Sequence, residues 1–136
     1  MNIIFTDIDG VLQTGNIKKW NKHACLLYSN ICKKYNLKPV ITSTWRVNYN
    51  IKELQKIFYN QGIDVKIYDY TDVLGIERGE EIKIWLQNNN VDNYCVIDDN
   101  IIDILPYCKN VISVKYSYEG LTNENIKEID KIFKNT

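Results

Sequence analysis

Histidine is scarce in this sequence, which contains only one, His23. Catalytic mechanisms in which a histidine activates a serine or a cysteine would all depend on that single residue. It lies in a segment with helical periodicity, and we expect it at the surface or in helix packing. The sequence therefore disfavours hydrolases of the Ser-His and Cys-His classes.

Zinc-binding and disulfide patterns are absent. The four cysteines form no C-x-x-C pair and do not stand at zinc-ligand spacing with the histidine: Cys25, Cys32, Cys95 and Cys108. Cys95 lies inside an apolar run, where a buried thiol is the usual role. This use of cysteine predicts a reducing, cytoplasmic location.

Long apolar runs and an excess of charge are also missing. The 17 basic and 17 acidic residues cancel to a net charge of zero, which argues against strong non-specific attraction to nucleic acid. No run approaches membrane-spanning length and no signal segment is evident, so we expect no membrane association. Lys18, Lys19 and Lys22 could attract a polyanion, but a solvated charged face is the simpler interpretation.

Segments typical of strands alternate with segments typical of helices along the whole chain. The strand-like segments are 3–5, 39–44, 63–68, 94–97 and 111–115. Helical periodicity marks the segments 20–35, 51–58, 82–86 and 122–133, with a short helical segment at 101–105. The alternation predicts an α/β fold with a parallel five-stranded sheet sandwiched by helices, and we expect residues 1–136 to form one domain.

Polar and acidic side chains follow three of the predicted strands. In chain order they are Asp7 and Asp9, Thr42 and Ser43, and Asp98 and Asp99. A cation, Arg78, stands where the third helix begins. Functional sites of parallel sheets lie outside the carboxyl ends of the strands, so we expect these side chains to meet in one site.

Clustered carboxylates repel one another unless a cation or a shared proton compensates them. Mg²⁺ prefers oxygen ligands, and Asp98 with Asp99 would supply more of them. Asp7 is placed to attack a phosphoryl group, and Asp9 to protonate the leaving oxygen and then activate water. Arg78 would neutralise phosphoryl oxygens.

Ordinary structural interpretations compete with each of these assignments. Asp98 or Asp99 could cap the segment that follows, and the hydroxyls of 42–44 could bind their own backbone.

An EF-hand is disfavoured because only two acids precede Gly10 and no glutamate follows at the required distance. Arg46 could reach the substrate or pair with a surface acid, and we favour the surface interpretation. The three tryptophans, at 20, 45 and 85, are expected in the core.

The motif Asp7-Ile-Asp9-Gly10-Val11-Leu12, followed by Thr42, Arg78 and the Asp98-Asp99 pair, resembles the motifs of the haloacid dehalogenase-like (HAD) superfamily in their usual order. The TSTWR stretch and the RGEEIKIWL segment are similar to small HAD phosphatase domains of nucleic-acid end repair. The resemblance implies a Rossmann-like core and Mg²⁺-dependent phosphoryl transfer.

The resemblance also implies roles for the acids. Asp7 would be the nucleophile and a metal ligand. Asp9 would be the general acid/base and would give the metal its backbone carbonyl. Asp98 would hold the metal, with Asp99 near it.

By the same resemblance, Arg78 and a hydroxyl would bind phosphate, and either Thr42 or Ser43 could supply that hydroxyl. HAD proteins often carry an inserted cap domain, but the segments before 39 and between 70 and 78 are too short for one. We therefore expect a capless protein with an open site.

The leading hypothesis is a Mg²⁺-dependent phosphomonoester phosphatase whose substrate is a nucleic-acid end, another large phosphorylated molecule such as a phosphoprotein, or a small molecule. A non-catalytic HAD domain that binds a phosphorylated partner is the alternative. A receiver domain is disfavoured, because its adjacent acid pair should follow the first strand and here it follows the fourth.

Overall fold

The computed structural model describes residues 1–15 and 19–135. Its core is a parallel sheet of five strands: β1 Asn2–Thr6, β4 Leu37–Ile41, β5 Asp69–Tyr70, β6 Asn93–Asp98 and β7 Val111–Ser113. Their order across the sheet is β5-β4-β1-β6-β7. A small antiparallel hairpin, β2 Gln13–Thr14 and β3 Lys19–Trp20, stands apart from this sheet. Lys18 of the candidate lysine cluster lies outside the described residues.

Helices cover both faces of the sheet, as the alternation predicts. They are α1 Lys22–Tyr35, α2 Trp45–Asn48, α3 Ile51–Asn60, α4 Arg78–Gln87 and α5 Asn123–Phe133. Successive β1 residues point to opposite faces: Ile4 packs in the core formed with α1, α3 and α5, whereas Ile3 and Phe5 pack against α4. Burial on both faces explains why β1 is a continuous apolar run.

Side-chain caps define where three of the helices begin. Asn21 accepts a hydrogen bond from Ala24 N at 3.0 Å and starts α1, and Thr122 starts α5. Asn50 and Glu53 form a reciprocal capping box at α3. The caps predicted at 21 and 122 are confirmed.

The strand predicted at 63–68 is wrong, because the sheet is joined only by Asp69 and Tyr70. The apolar alternation there reflects burial of Ile63 and Ile67 in the core. Gln55 of α3 donates to Val65 O and accepts from Ile67 N. One side chain thus satisfies backbone groups that a neighbouring strand would otherwise bind.

Three further boundaries differ from the sequence interpretation. The strand predicted at 39–44 runs from Leu37 to Ile41. The strand predicted at 111–115 ends at Ser113. Residues 101–105 form turns in place of a helix. Ile101 O accepts from both Ile104 N and Leu105 N, and Pro106 has no N–H to extend the series.

No inserted domain interrupts the described part of the sheet. Between β1 and β4 lie only the hairpin and α1, and residues 71–77 contain no helix or strand. Among the described helices, none combines the length and hydropathy that a membrane span requires.

Candidate active site

Strand register brings the predicted acids and hydroxyl to one level of the sheet. Thr6 of β1 is aligned with Ile41 of β4 and with Ile97 of β6. The residues that follow these three are Asp7, Thr42 and Asp98. The carboxyl edge of three adjacent strands therefore carries the site, with β1 in the middle.

Three carboxylates form a cluster at this edge. Asp7, Asp98 and Asp99 each offer an oxygen, and these oxygens all lie within 4.8 Å of one another. Asp7 and Asp98 are buried, whereas Asp99 is exposed. Asp98 also accepts from Asn100 N at 3.0 Å, so it closes a turn and caps no helix.

Gly10 permits the approach of Asp99 to the first motif. Its φ is +81°, in the left-handed region, and a Cβ at this position would lie 2.2 Å from Asp99 Oδ2. Any larger residue would therefore combine backbone strain with a collision. The glycine of the D-x-D-G motif makes space for the third carboxylate.

Arg78 joins two members of the cluster. Its Nη1 lies 2.7 Å from Asp98 Oδ2 and 3.5 Å from Asp7 Oδ1. The side chain is 23% exposed, so it is also open to a ligand. Asp103 fixes the start of α4, since it accepts from Arg78 N through its carboxylate and from Gly79 N through its carbonyl.

The cluster carries more negative charge than the protein compensates. Burial, followed by the charge of Asp98, raises the pKa of Asp7 to about 8, and Arg78 opposes this only in part. Three carboxylates face one guanidinium, and oxygen donors of this kind suit a hard divalent cation. The donor set thus fits Mg²⁺ held by Asp7, Asp98 and Asp99.

Asp9 points its carboxylate to a different set of partners. Its Oδ1 accepts the indole N–H of Trp45 at 3.2 Å. The Gln13 amide is oriented so that both its NH₂ group and its oxygen have partners. The NH₂ group donates to the same Asp9 oxygen at 3.1 Å, and the amide oxygen accepts from the Trp20 indole N–H at 2.9 Å. The Asp9 carboxylate therefore lies outside the cluster of Asp7, Asp98 and Asp99 and is held by these other partners.

The two candidate hydroxyls differ in what they contact. Thr42 is fully buried, and its Oγ1 has no hydrogen-bond partner among the described residues. The Oγ of Ser43 accepts from Trp45 N at 3.2 Å and so helps to form the turn. Of the two hydroxyls, Thr42 is the one that makes no hydrogen bond with the described residues.

Arg46 is not the surface residue expected from the sequence. Its side chain is 5% exposed and pairs with Glu81, itself 6% exposed, at 2.9 Å. It also donates to the carbonyls of Thr42, Ser43 and Thr71. Burial lowers the pKa of Arg46, and the charge of Glu81 opposes that effect.

Two residues of this region escaped the sequence interpretation. Trp45 was expected only to pack in the core, and it does contact the core, but it also binds Asp9. Arg46 was expected at the surface, and it is buried instead. Both lie in the TSTWR stretch directly after the hydroxyl motif, and that position was the available signal. His23 is exposed, as expected.

Comparison with known proteins places this geometry in a family. No curated protein and no solved structure was found to match the chain. A family model described as the HAD domain in Swiss Army Knife RNA repair proteins matches residues 3–126. That range contains the acid cluster, Arg78, Thr42 and Asp9, which confirms the resemblance on which the sequence interpretation depended. The chain belongs to this family of HAD domains.

Proposed function

We propose that this protein is a Mg²⁺-dependent phosphatase that hydrolyses a phosphomonoester through an aspartyl-phosphate on Asp7. The observation that carries the proposal is the cluster of Asp7, Asp98 and Asp99, with Arg78 bound to two of its members. Two buried carboxylates beside a third are costly to a fold unless a cation compensates them, and groups perturbed in this way cluster at functional sites.

The first step would transfer the phosphoryl group to the protein. A carboxylate oxygen of Asp7 forms a bond to phosphorus while the bond from phosphorus to the leaving oxygen breaks. Asp9 gives its proton to that oxygen, which departs as an alcohol. Mg²⁺, held by Asp7, Asp98 and Asp99, would supply the positive charge that lets two anions approach.

The second step would release phosphate. Asp9, now ionised, takes a proton from a water molecule as that water attacks the phosphorus of the aspartyl-phosphate. The bond between phosphorus and Asp7 breaks, and inorganic phosphate leaves. One carboxyl group thus serves as acid in the first step and as base in the second.

Phosphate binding would fall to Arg78 and Thr42. The guanidinium of Arg78 already lies within contact of Asp7 and remains partly open to solvent. The hydroxyl of Thr42 has no partner among the described residues, so a phosphoryl oxygen would supply one. Ser43 would support the turn through its bond to Trp45 N.

We propose a nucleic-acid end as the substrate. The matching family is named for RNA repair proteins. The residues between β5 and α4 add no cap that would close the site. An open site accepts a phosphate at the end of a long polymer as readily as one on a small molecule.

The test is phosphate release from purified protein. RNA oligonucleotides with a 3′- or a 5′-phosphate, a phosphopeptide and an aryl phosphate would be offered with Mg²⁺ or with chelator. We expect Mg²⁺-dependent release that is lost in Asp7→Asn and retained in Asp64→Asn, whose carboxylate is exposed and pairs with Lys33 at the surface. If the wild-type protein binds a phosphorylated end tightly but releases no phosphate, the phosphatase proposal is overturned in favour of a phosphate-binding domain.

A further inference from the structure

A stacked pair of aromatic rings lies beside Asp9. The rings of Trp45 and Tyr49 are 5.4 Å apart between centroids, with 27° between their planes. Trp45 also makes a T-shaped contact with Trp20, with the ring centroids 5.5 Å apart. Tyr49 is the exposed member, with 36% of its surface open to solvent. The pair thus has an anchored inner ring and an accessible outer ring.

The chemistry of the proposed reaction directs the leaving group toward this pair. In an in-line displacement, the departing oxygen lies opposite the nucleophile and next to the acid that protonates it. Asp7 is the nucleophile and Asp9 is the acid, and the Asp9 carboxylate contacts the Trp45 indole at 3.2 Å. The alcohol half of the substrate therefore leaves on the side of Asp9 where the aromatic pair begins.

We propose that Trp45 and Tyr49 form a binding site for the nucleobase of the nucleotide that carries the phosphate, with the base stacked on Tyr49. The inference rests on the proposed phosphatase function and names its substrate class more narrowly. Every nucleobase presents a flat π-face, so such a site would bind nucleic-acid ends with little sequence preference.

Two exposed lysines that lie close to the pair in the chain favour a nucleic acid over other aromatic ligands. Lys19 is exposed and directly precedes Trp20, whose ring contacts Trp45. Lys52 is exposed and lies three residues after Tyr49. Cations beside a stacking surface attract the phosphates of a strand whose base is bound there.

The test compares two oligoribonucleotides that share one phosphorylated end and differ only in whether the terminal nucleotide carries its base. In Tyr49→Leu, which keeps apolar volume but removes the ring, we expect kcat/KM on the base-bearing end to fall about 5- to 150-fold. The abasic end should be hydrolysed nearly as before. Tyr49→Phe keeps the ring and should behave as wild type. Tyr59→Leu is the matched control, since Tyr59 is 50% exposed on α3. Equal losses on both ends, or no loss, would overturn the inference.

A binding measurement separates this inference from the phosphatase proposal. Fluorescence anisotropy with chelator present would compare the two labelled oligonucleotides on wild type and Tyr49→Leu. If no substrate is hydrolysed, yet the base-bearing end binds more tightly and Tyr49→Leu removes the difference, the base site stands and the phosphatase proposal fails. Equal affinity for the two ends overturns the base site whatever the turnover. Tyr49-dependent binding of a phosphopeptide, without preference for the base, would identify a peptide site in its place.

Discussion

The guanidinium of Arg46 lies 2.9 Å from the carboxylate of Glu81, and both side chains are almost completely buried. Arg46 also binds the carbonyls of Thr42 and Ser43, while Glu81 accepts from Leu74 N. The pair thus joins the turn after β4 to α4, the helix that begins with Arg78. This connection holds the hydroxyl and the cation of the site in fixed relation.

Removing either partner of this pair should destabilise the protein strongly. Arg46→Met or Glu81→Gln leaves the other group buried with its charge uncompensated, at a cost of about 3–5 kcal/mol in the free energy of unfolding. Denaturant titration measures that cost. Asp64→Asn, which breaks an exposed ion pair with Lys33, should cost about 1 kcal/mol or less. A similarly small change for Glu81→Gln would show that the buried pair has no structural importance.

Asp7→Asn should have opposite effects on stability without and with metal. With chelator present it removes a carboxyl group whose pKa, raised to about 8 by burial and the charge of Asp98, opposes folding at neutral pH, so the melting temperature should rise. With excess Mg²⁺ the wild type should gain more stability than the variant, because a ligand has been lost. Melting temperatures of both proteins, measured with chelator and with Mg²⁺, test both effects. A Mg²⁺-induced rise of equal size in the two proteins would show that Asp7 is not a metal ligand.

Asp9→Asn should slow turnover without changing the fold. A general acid/base contributes about 10²- to 10⁴-fold to rate, and the amide can neither donate the required proton nor accept one. The carboxylate lies outside the cluster of Asp7, Asp98 and Asp99 that is proposed to hold the metal, so the Mg²⁺-induced thermal shift should persist. Steady-state phosphate release measures the loss, and an unchanged rate would assign the acid/base role elsewhere.

Trp45→Phe tests whether the indole N–H orients Asp9. The phenyl ring retains packing against Trp20 and Tyr49 but cannot donate to the Asp9 carboxylate. We expect kcat to fall while KM for a base-bearing end changes little. Trp85→Phe is the matched control, since its indole donates to a carboxylate of Asp69 at 2.8 Å. A loss shared equally by the two variants would indicate general destabilisation.

Asp130 should make stability depend on pH in acid. The Asp130 carboxylate accepts hydrogen bonds from the hydroxyl of Tyr35 and from the ammonium group of Lys34. These bonds, that from Tyr35 the most, lower the pKa of Asp130 below its ordinary value of 3.8. A lowered carboxyl pKa contributes stability that is complete above 3.8 and is lost as pH falls through the folded-state pKa. Asp130→Asn should therefore be less stable than wild type at neutral pH and equal to it in strong acid.

Unfolding curves across that pH range check the prediction for Asp130. Glu124→Gln, on the same helix and paired with Lys127 at the surface, serves as the control and should follow wild type at each pH. A constant difference between Asp130→Asn and wild type down to strong acid would contradict the assignment.

The meeting of the strand-end residues in one site was predictable from the sequence, because a chain of alternating strands and helices can form only a few sheet topologies. Once β1, β4 and β6 are parallel neighbours, Asp7, Thr42 and Asp98 must meet at one edge. The helix caps at 21 and 122 were predictable for a similar reason, since a cap depends on residues close in the chain.

Partners far apart in the chain were decided only by the tertiary structure. Nothing near Arg46 or Trp45 in the sequence indicates Glu81 or Asp9, which lie 35 and 36 residues away. The false strand at 63–68 has the same origin, because Gln55 of a preceding helix takes the hydrogen bonds of that segment. The fold class and the chemical groups of the site follow from the sequence. Tertiary packing sets which buried charge is paired, which indole binds Asp9 and which aromatic rings lie beside it, because these contacts depend on where separate segments meet.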